Sequence, residues 1–127
     1  MKWFKSKKQP SAFSRQEALT RVPIKNPLVR ESRLESGVVL LTYPQPLRPF
    51  VAALSRRIGG SAGVNPERKL ELDDLGTQVW DMIDNRRPVE RLVRRFAERH
   101  RLPPREAEVS VTQFLRELGR RGIIGLR

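Results

Sequence analysis

Between Lys69 and Arg127, one short alternating segment is followed by three amphipathic helical patterns, and this order constrains the fold more than any other feature of the chain. Apolar residues recurring every three or four positions mark one face of a helix, whereas strict alternation marks a strand. Lys69-Leu70-Glu71-Leu72 alternates, and Asp73 offers a side-chain oxygen to cap a helix beginning near Asp74. That first helix gathers Gly76, Val79, Trp80 and Ile83 on one face. The glycine permits close backbone approach at some cost in helix propensity. Asp84 and Asn85 end it. A second helix starts near Pro88, a residue tolerated where the missing N–H has no intrahelical partner, and buries Val89, Leu92, Val93, Phe96 and Ala97. Pro103 and Pro104 seed the third, with Ala107, Val111, Phe114, Leu115 and Leu118 inward and Gly119 or Gly122 as its stop. Ile123, Ile124 and Leu126 form a short final apolar segment.

Upstream, Leu28 to Glu35 and Val38 to Tyr43 flank Ser36-Gly37 and read as a hairpin with glycine at the turn. Pro44, Pro46 and Pro49 then interrupt pairing. Phe50, Val51, Leu54 and Ile58 recur at helical spacing before Gly59-Gly60, which predicts an inserted helix near residues 49–58. Packing across the open face of the domain suits that helix better than lying on a membrane. The expected fold is α+β: an N-terminal antiparallel sheet of about three strands, an inserted helix and three C-terminal helices. Residues 28–127 make up the expected domain, with an insertion at 44–68, and residues 1–27 a basic, flexible arm.

A chain of 127 residues suits one small domain with tails, which leaves much of its surface exposed and little depth for an enzyme cleft. The absence of cysteine excludes disulfides, thiolate metal sites and cysteine nucleophiles, and is compatible with the reducing cytoplasm, the expected location. His100 is the single histidine, and a solvated or helix-end role suits it better than a switch. Asp73, Asp74, Asp81 and Asp84 could be paired on paper as acid and base, but acidic residues at a helix start and along its face more often cap and solvate it. Gly59-Gly60-Ser61-Ala62-Gly63 lacks the lysine and hydroxyl residue of a phosphate-binding loop. No catalytic residue, metal ligand or cofactor is assigned.

The net charge of +12 is unevenly spread: +4 in residues 1–8, +5 in 9–68 and +3 in 69–127. Over the helical region, basic and acidic residues such as Arg87, Glu90, Arg91, Arg94 and Glu98 interleave at spacings that form surface pairs on a helix. The uncompensated charge lies in Met1 to Lys8, where four lysines accompany Trp3 and Phe4. Such an arm suits an anionic membrane or nucleic acid, or is simply a solvated tail. It lacks the apolar run of a signal peptide, and no segment has the length to span a bilayer.

Leu72-Asp73-Asp74-Leu75-Gly76-Thr77, Val79-Trp80 and Ile83-Asp84, followed by the second helix, by Phe114-Leu115-Arg116-Glu117-Leu118 and by Gly122-Ile123-Ile124, resemble the PqqD-like family. The likeness spans roughly Leu28 to Leu126. It implies a winged helix-turn-helix module that recognises the leader of a ribosomally made precursor peptide, in the manner of the chaperone of pyrroloquinoline quinone biosynthesis. It also implies a separate modifying enzyme, often of the radical S-adenosylmethionine type.

An exposed sheet edge can take an extended peptide as an extra strand. The resemblance places that peptide beside Lys69, Leu70, Glu71 and Leu72, against a groove bounded by the third helix. With the apolar stripe inward, Val109, Gln113, Arg116 and Arg120 turn the other way. Val109 would meet an apolar anchor of the leader, and Arg116 and Arg120 its carboxylates. The competing expectation is a winged-helix nucleic-acid-binding protein reading duplex through the third helix, although Glu106, Glu108 and Glu117 interrupt its positive surface. Exposed edges also pair identical subunits, so a homodimer is a third expectation.

Overall fold

The computed structural model describes residues 14–44 and 66–127. Met1 to Lys8 and the inserted helix expected near residues 49–58 lie outside them.

The order is α1 (Arg15–Thr20), β1 (Pro23–Lys25), β2 (Arg30–Arg33), β3 (Val39–Pro44), β4 (Glu67–Glu71), α2 (Asp74–Met82), α3 (Val89–His100), α4 (Pro104–Arg120) and β5 (Ile124–Leu126). This is an α+β arrangement with a three-stranded antiparallel sheet, ordered β2-β3-β4, and a two-stranded pair, β1-β5.

The hairpin forms as its sequence requires, with a shorter first strand than expected and the second shifted by one residue. Gly37 takes a φ of 95°, its N–H donates to Leu34 O at 2.8 Å, and Leu34 N–H donates to Val38 O at 2.9 Å. A three-residue loop with glycine in the left-handed region keeps the strand twist. β3, in the centre, alternates burial along its length, with Val39, Leu41 and Tyr43 buried against the helices. β2, all exposed and largely charged, is the guarded edge.

α2 starts where the Asp73 cap dictates: its carboxylate accepts from Gly76 N–H at 2.7 Å. Trp80 is 1% exposed, donates its indole N–H to Glu31 at 2.9 Å, and carries the Lys25 ammonium 4.2 Å above its ring. Desolvation there holds the Lys25 ammonium below the usual lysine range, against the attraction of Glu31. α4 ends on Gly122 rather than Gly119: Gly122 has φ 81°, Ile123 N–H donates to Leu118 O at 2.9 Å, and Gly122 N–H to Gly119 O at 2.9 Å. These are the two bonds of a Schellman cap.

The folded chain begins upstream of the expected Leu28 boundary. Ser14 caps α1 with a capping box to Glu17, Ala18 is buried, and β1 pairs in register with β5, Ile24 opposite Gly125. Residues 14–27 are therefore part of the domain, because β5 needs a partner strand and α1 covers α3. Arg15 fixes that helix with a two-pronged ion pair to Glu108 at 2.6 and 2.7 Å.

His100 is half-buried; its Nε2 lies 2.7 Å from Gln78 Oε1 and its ring 4.5 Å from that of Phe96. It joins the end of α3 to α2 instead of standing in solvent. Three of the four carboxylates considered for acid–base work are engaged structurally, and Asp74 is exposed in the first turn of α2: Asp73 caps α2, Asp81 pairs with Arg33 at 2.6 Å, and Asp84 accepts from the Arg86 and Arg87 N–H groups. Those backbone bonds hold Asp84 below the usual carboxylate range.

Candidate functional site

β4 is paired on one side only among the described residues. Its register sets Leu40 opposite Glu71, Leu41 opposite Leu70 and Thr42 opposite Lys69. Just past the strand, Leu72 N–H donates to Val39 O at 2.9 Å. In an antiparallel pair, residues that bond across alternate with residues whose backbone groups point away. Leu72, Leu70 and Arg68 therefore bond to β3, while Glu67, Lys69 and Glu71 turn their N–H and C=O groups outward. Side chains alternate as well. Leu72 is buried and Leu70 half-buried against the core, whereas Lys69 and Glu71 are exposed on the opposite face.

The flank of α4 that faces α2 and the sheet can be traced from two contacts. Near the Leu72 end, the Phe114 ring rests on Gly76, where an added Cβ would stand 2.9 Å from its Cε1. At the other end, Arg121 Nη1 donates to the Tyr43 hydroxyl at 3.4 Å, and Tyr43 is the register partner of Arg68. α4 is thus tied to the first turn of α2 by Phe114 and to the central strand β3 by Arg121. Ser110, Phe114, Glu117 and Arg121 share this stripe by helical spacing.

The eight residues singled out from sequence consequently separate. Lys69, Leu70, Glu71 and Leu72 fall on one strand and its exit, split between an outward-bonding set and a sheet-bonding set. Val109, Gln113, Arg116 and Arg120 are all exposed and occupy the neighbouring stripe of α4, one step further from the sheet. Val109 is 42% exposed, and Arg120 pairs with Glu117 at 3.0 Å. Phe114, which the periodicity assigns to the core, is only partly buried and packs on Gly76 of α2. Its signal in the sequence is the pairing of a helical glycine with an aromatic at the rim of the apolar stripe.

No group of His, Cys, Asp or Glu able to hold a metal ion occurs among the described residues, and none of their helices is long and apolar enough to cross a membrane.

Residues 63–124 match the family described as Coenzyme PQQ synthesis protein D (PqqD). No curated protein and no solved structure matches the chain. The matched stretch takes in β4, α2, α3 and α4, the elements that build the open edge and the helical flank beside it, while α1, β1 and the β2–β3 hairpin precede it. On this match, the strand and helices of residues 63–124 are PqqD-like.

Proposed function

We propose that this protein is a non-catalytic peptide-binding module that takes the leader of a ribosomally made precursor peptide as an added strand on β4 and presents the remainder to a separate modifying enzyme. The observation that carries the reading is the open edge: backbone groups of Lys69 and Glu71 turned away from β3. Backbone bonds supply affinity, and alternate side chains of the guest enter the groove and supply selectivity. Leu70 and Phe114 offer partly exposed apolar surface; Lys69 and Glu71 offer one charge of each sign on the outer face. Val109, Gln113, Arg116 and Arg120 serve residues of the leader that extend past the groove. Tethering by the leader raises the local concentration of the substrate segment at the enzyme. A radical S-adenosylmethionine enzyme is the partner type suggested by the family, and a winged arrangement of the α3–α4 pair is its expected architecture.

Duplex reading through α4 is less well supported. Arg105 pairs with Glu108 at 3.8 Å, and Arg120 and Arg121 pair with Glu117 at 3.0 and 3.9 Å, so this helix presents a balanced surface.

Isothermal titration with short peptides encoded beside the gene, set against duplex DNA at the same salt, tests the proposal. Saturable binding of one peptide with amide shifts concentrated on Lys69 and Glu71 is the expected result. Binding of DNA alone, or peptide binding that leaves β4 unmoved, overturns it.

A further inference from the structure

The mild mean charge of the helical region conceals a segregation. Residues 86–105 contain eight arginines against two glutamates, whereas the rest of 66–127 contains six basic and nine acidic residues. The pairs expected from their spacing do not form. Arg91, Arg94, Arg95 and Arg99 are exposed on α3, and none of them has an ion-pair partner among the described residues; Glu90 and Glu98 on the same helix have none either. Elsewhere several acids are engaged, Asp81 by Arg33, Glu108 by Arg15 and Glu117 by Arg120. Arg91, Arg95 and Arg99 follow one another at i, i+4 and i+8, a single row along the helix.

Beside this row lies an open recess of about 500 Å³, lined by Val93, Ala97, Leu102 and Pro104 at its apolar floor and by Glu90, Arg94 and Glu98 at its rim. It is built from α3 and the turn into α4 and shares no residue with the β4 edge. An apolar pocket ringed by charge is the anatomy of a protein–protein contact, in which one buried anchor carries much of the energy and the polar rim sets orientation. A phosphate backbone offers no apolar side chain to fill the pocket.

We infer that the arginine row and recess of α3 form a docking surface for a second protein, whose complementary patch is acidic and carries one protruding apolar side chain. The surface is physically separate from the β4 groove, so both can be occupied together, and the inference stands whether or not β4 binds a leader. If it does, this is the face left for the enzyme to which the peptide is delivered.

The test uses the full chain and a short peptide of glutamate and aspartate residues with one central phenylalanine. Binding should weaken as salt rises, shift the resonances of Ala97 and Leu102, and fall about ten-fold or more in the Arg91→Glu/Arg95→Glu double variant. Replacing the phenylalanine by alanine should weaken it further, and Lys69→Pro should leave it unchanged. Equal binding by the double variant assigns the acidic peptide to another basic region and overturns the inference. So does tighter binding of duplex DNA at the same face, which makes it a phosphate surface, or no binding by the wild type at low salt. Loss through Lys69→Pro instead would place the acidic peptide in the β4 groove and leave α3 without a role.

Discussion

Gly76 and Phe114 meet so closely that no side chain fits between them: a Cβ on Gly76 would stand 2.9 Å from Phe114 Cε1 and 3.0 Å from Asp73 Oδ1. The first turn of α2, its cap and the rim of α4 are thus locked in one contact. Gly76→Ala gains helix propensity of roughly 1 kcal/mol but must displace either the ring or the capping carboxylate. Overpacking of this kind costs about 1–3 kcal/mol, so we expect a net loss of about 1 kcal/mol in denaturant unfolding. Pairing the change with Phe114→Leu should recover most of it. Strict additivity of the two substitutions would show that the close approach is not the cause.

Thr77 ties α2 to the sheet. Its hydroxyl, in a residue only 8% exposed, accepts from Val39 N–H at 3.0 Å, and Val39 is fully buried at the central strand's start. Thr77→Val keeps the shape and strands that N–H, with an expected cost of about 1–3 kcal/mol. Amide exchange at Val39 should accelerate more than at Leu41. Unchanged exchange at Val39 would mean that the hydroxyl does not hold it.

Proline substitutions separate the two edges of β4. The Leu70 N–H belongs to the ladder with β3, so Leu70→Pro tests the integrity of the sheet and should unfold β4 locally. Lys69 N–H points outward, where proline is tolerated on an edge strand. Lys69→Pro should therefore leave thermal stability nearly intact and weaken the leader peptide by about ten-fold, the loss of one hydrogen bond that the complex cannot replace. Full peptide affinity in a folded Lys69→Pro protein would count decisively against strand addition.

Acid should loosen α1. Hydrogen bonds from Arg15 hold the Glu108 carboxyl below the usual glutamate range, against the opposing effect of burial. Because the folded value is depressed, the contribution is complete above the unfolded glutamate value of about 4.3 and is lost as pH falls through the folded value. Thermal midpoints measured down the acid range should drop more steeply for the wild type than for Glu108→Gln. Parallel curves would show that the ion pair carries no linkage.

The three C-terminal helices were legible because each has an apolar stripe at helical period and its own punctuation: Asp73 before α2, proline before α3 and α4, Gly122 after α4. The capping box Ser14-Arg15-Gln16-Glu17 was equally legible and marks α1, yet the six-residue helix has too short a stripe to register as a periodic pattern. β1 is harder still. Pro23-Ile24-Lys25 has no strand signature of its own and becomes a strand because Ile124-Gly125-Leu126 lies beside it, almost a hundred residues later in sequence.

The candidate site divides along the same line. Alternation alone places Lys69 to Leu72 on a strand, and helical period alone turns Val109, Gln113, Arg116 and Arg120 away from the core, since both follow from local geometry. Which backbone groups of β4 are free depends on its register with β3, and which stripe of α4 faces α2 and the sheet depends on how Phe114 seats on Gly76 and Arg121 on Tyr43. Those are relations between distant segments. Composition fixed the number of arginines in residues 86–105, but only packing decided that Asp81, Glu108 and Glu117 would be taken up in ion pairs and that α3 would keep its charge exposed.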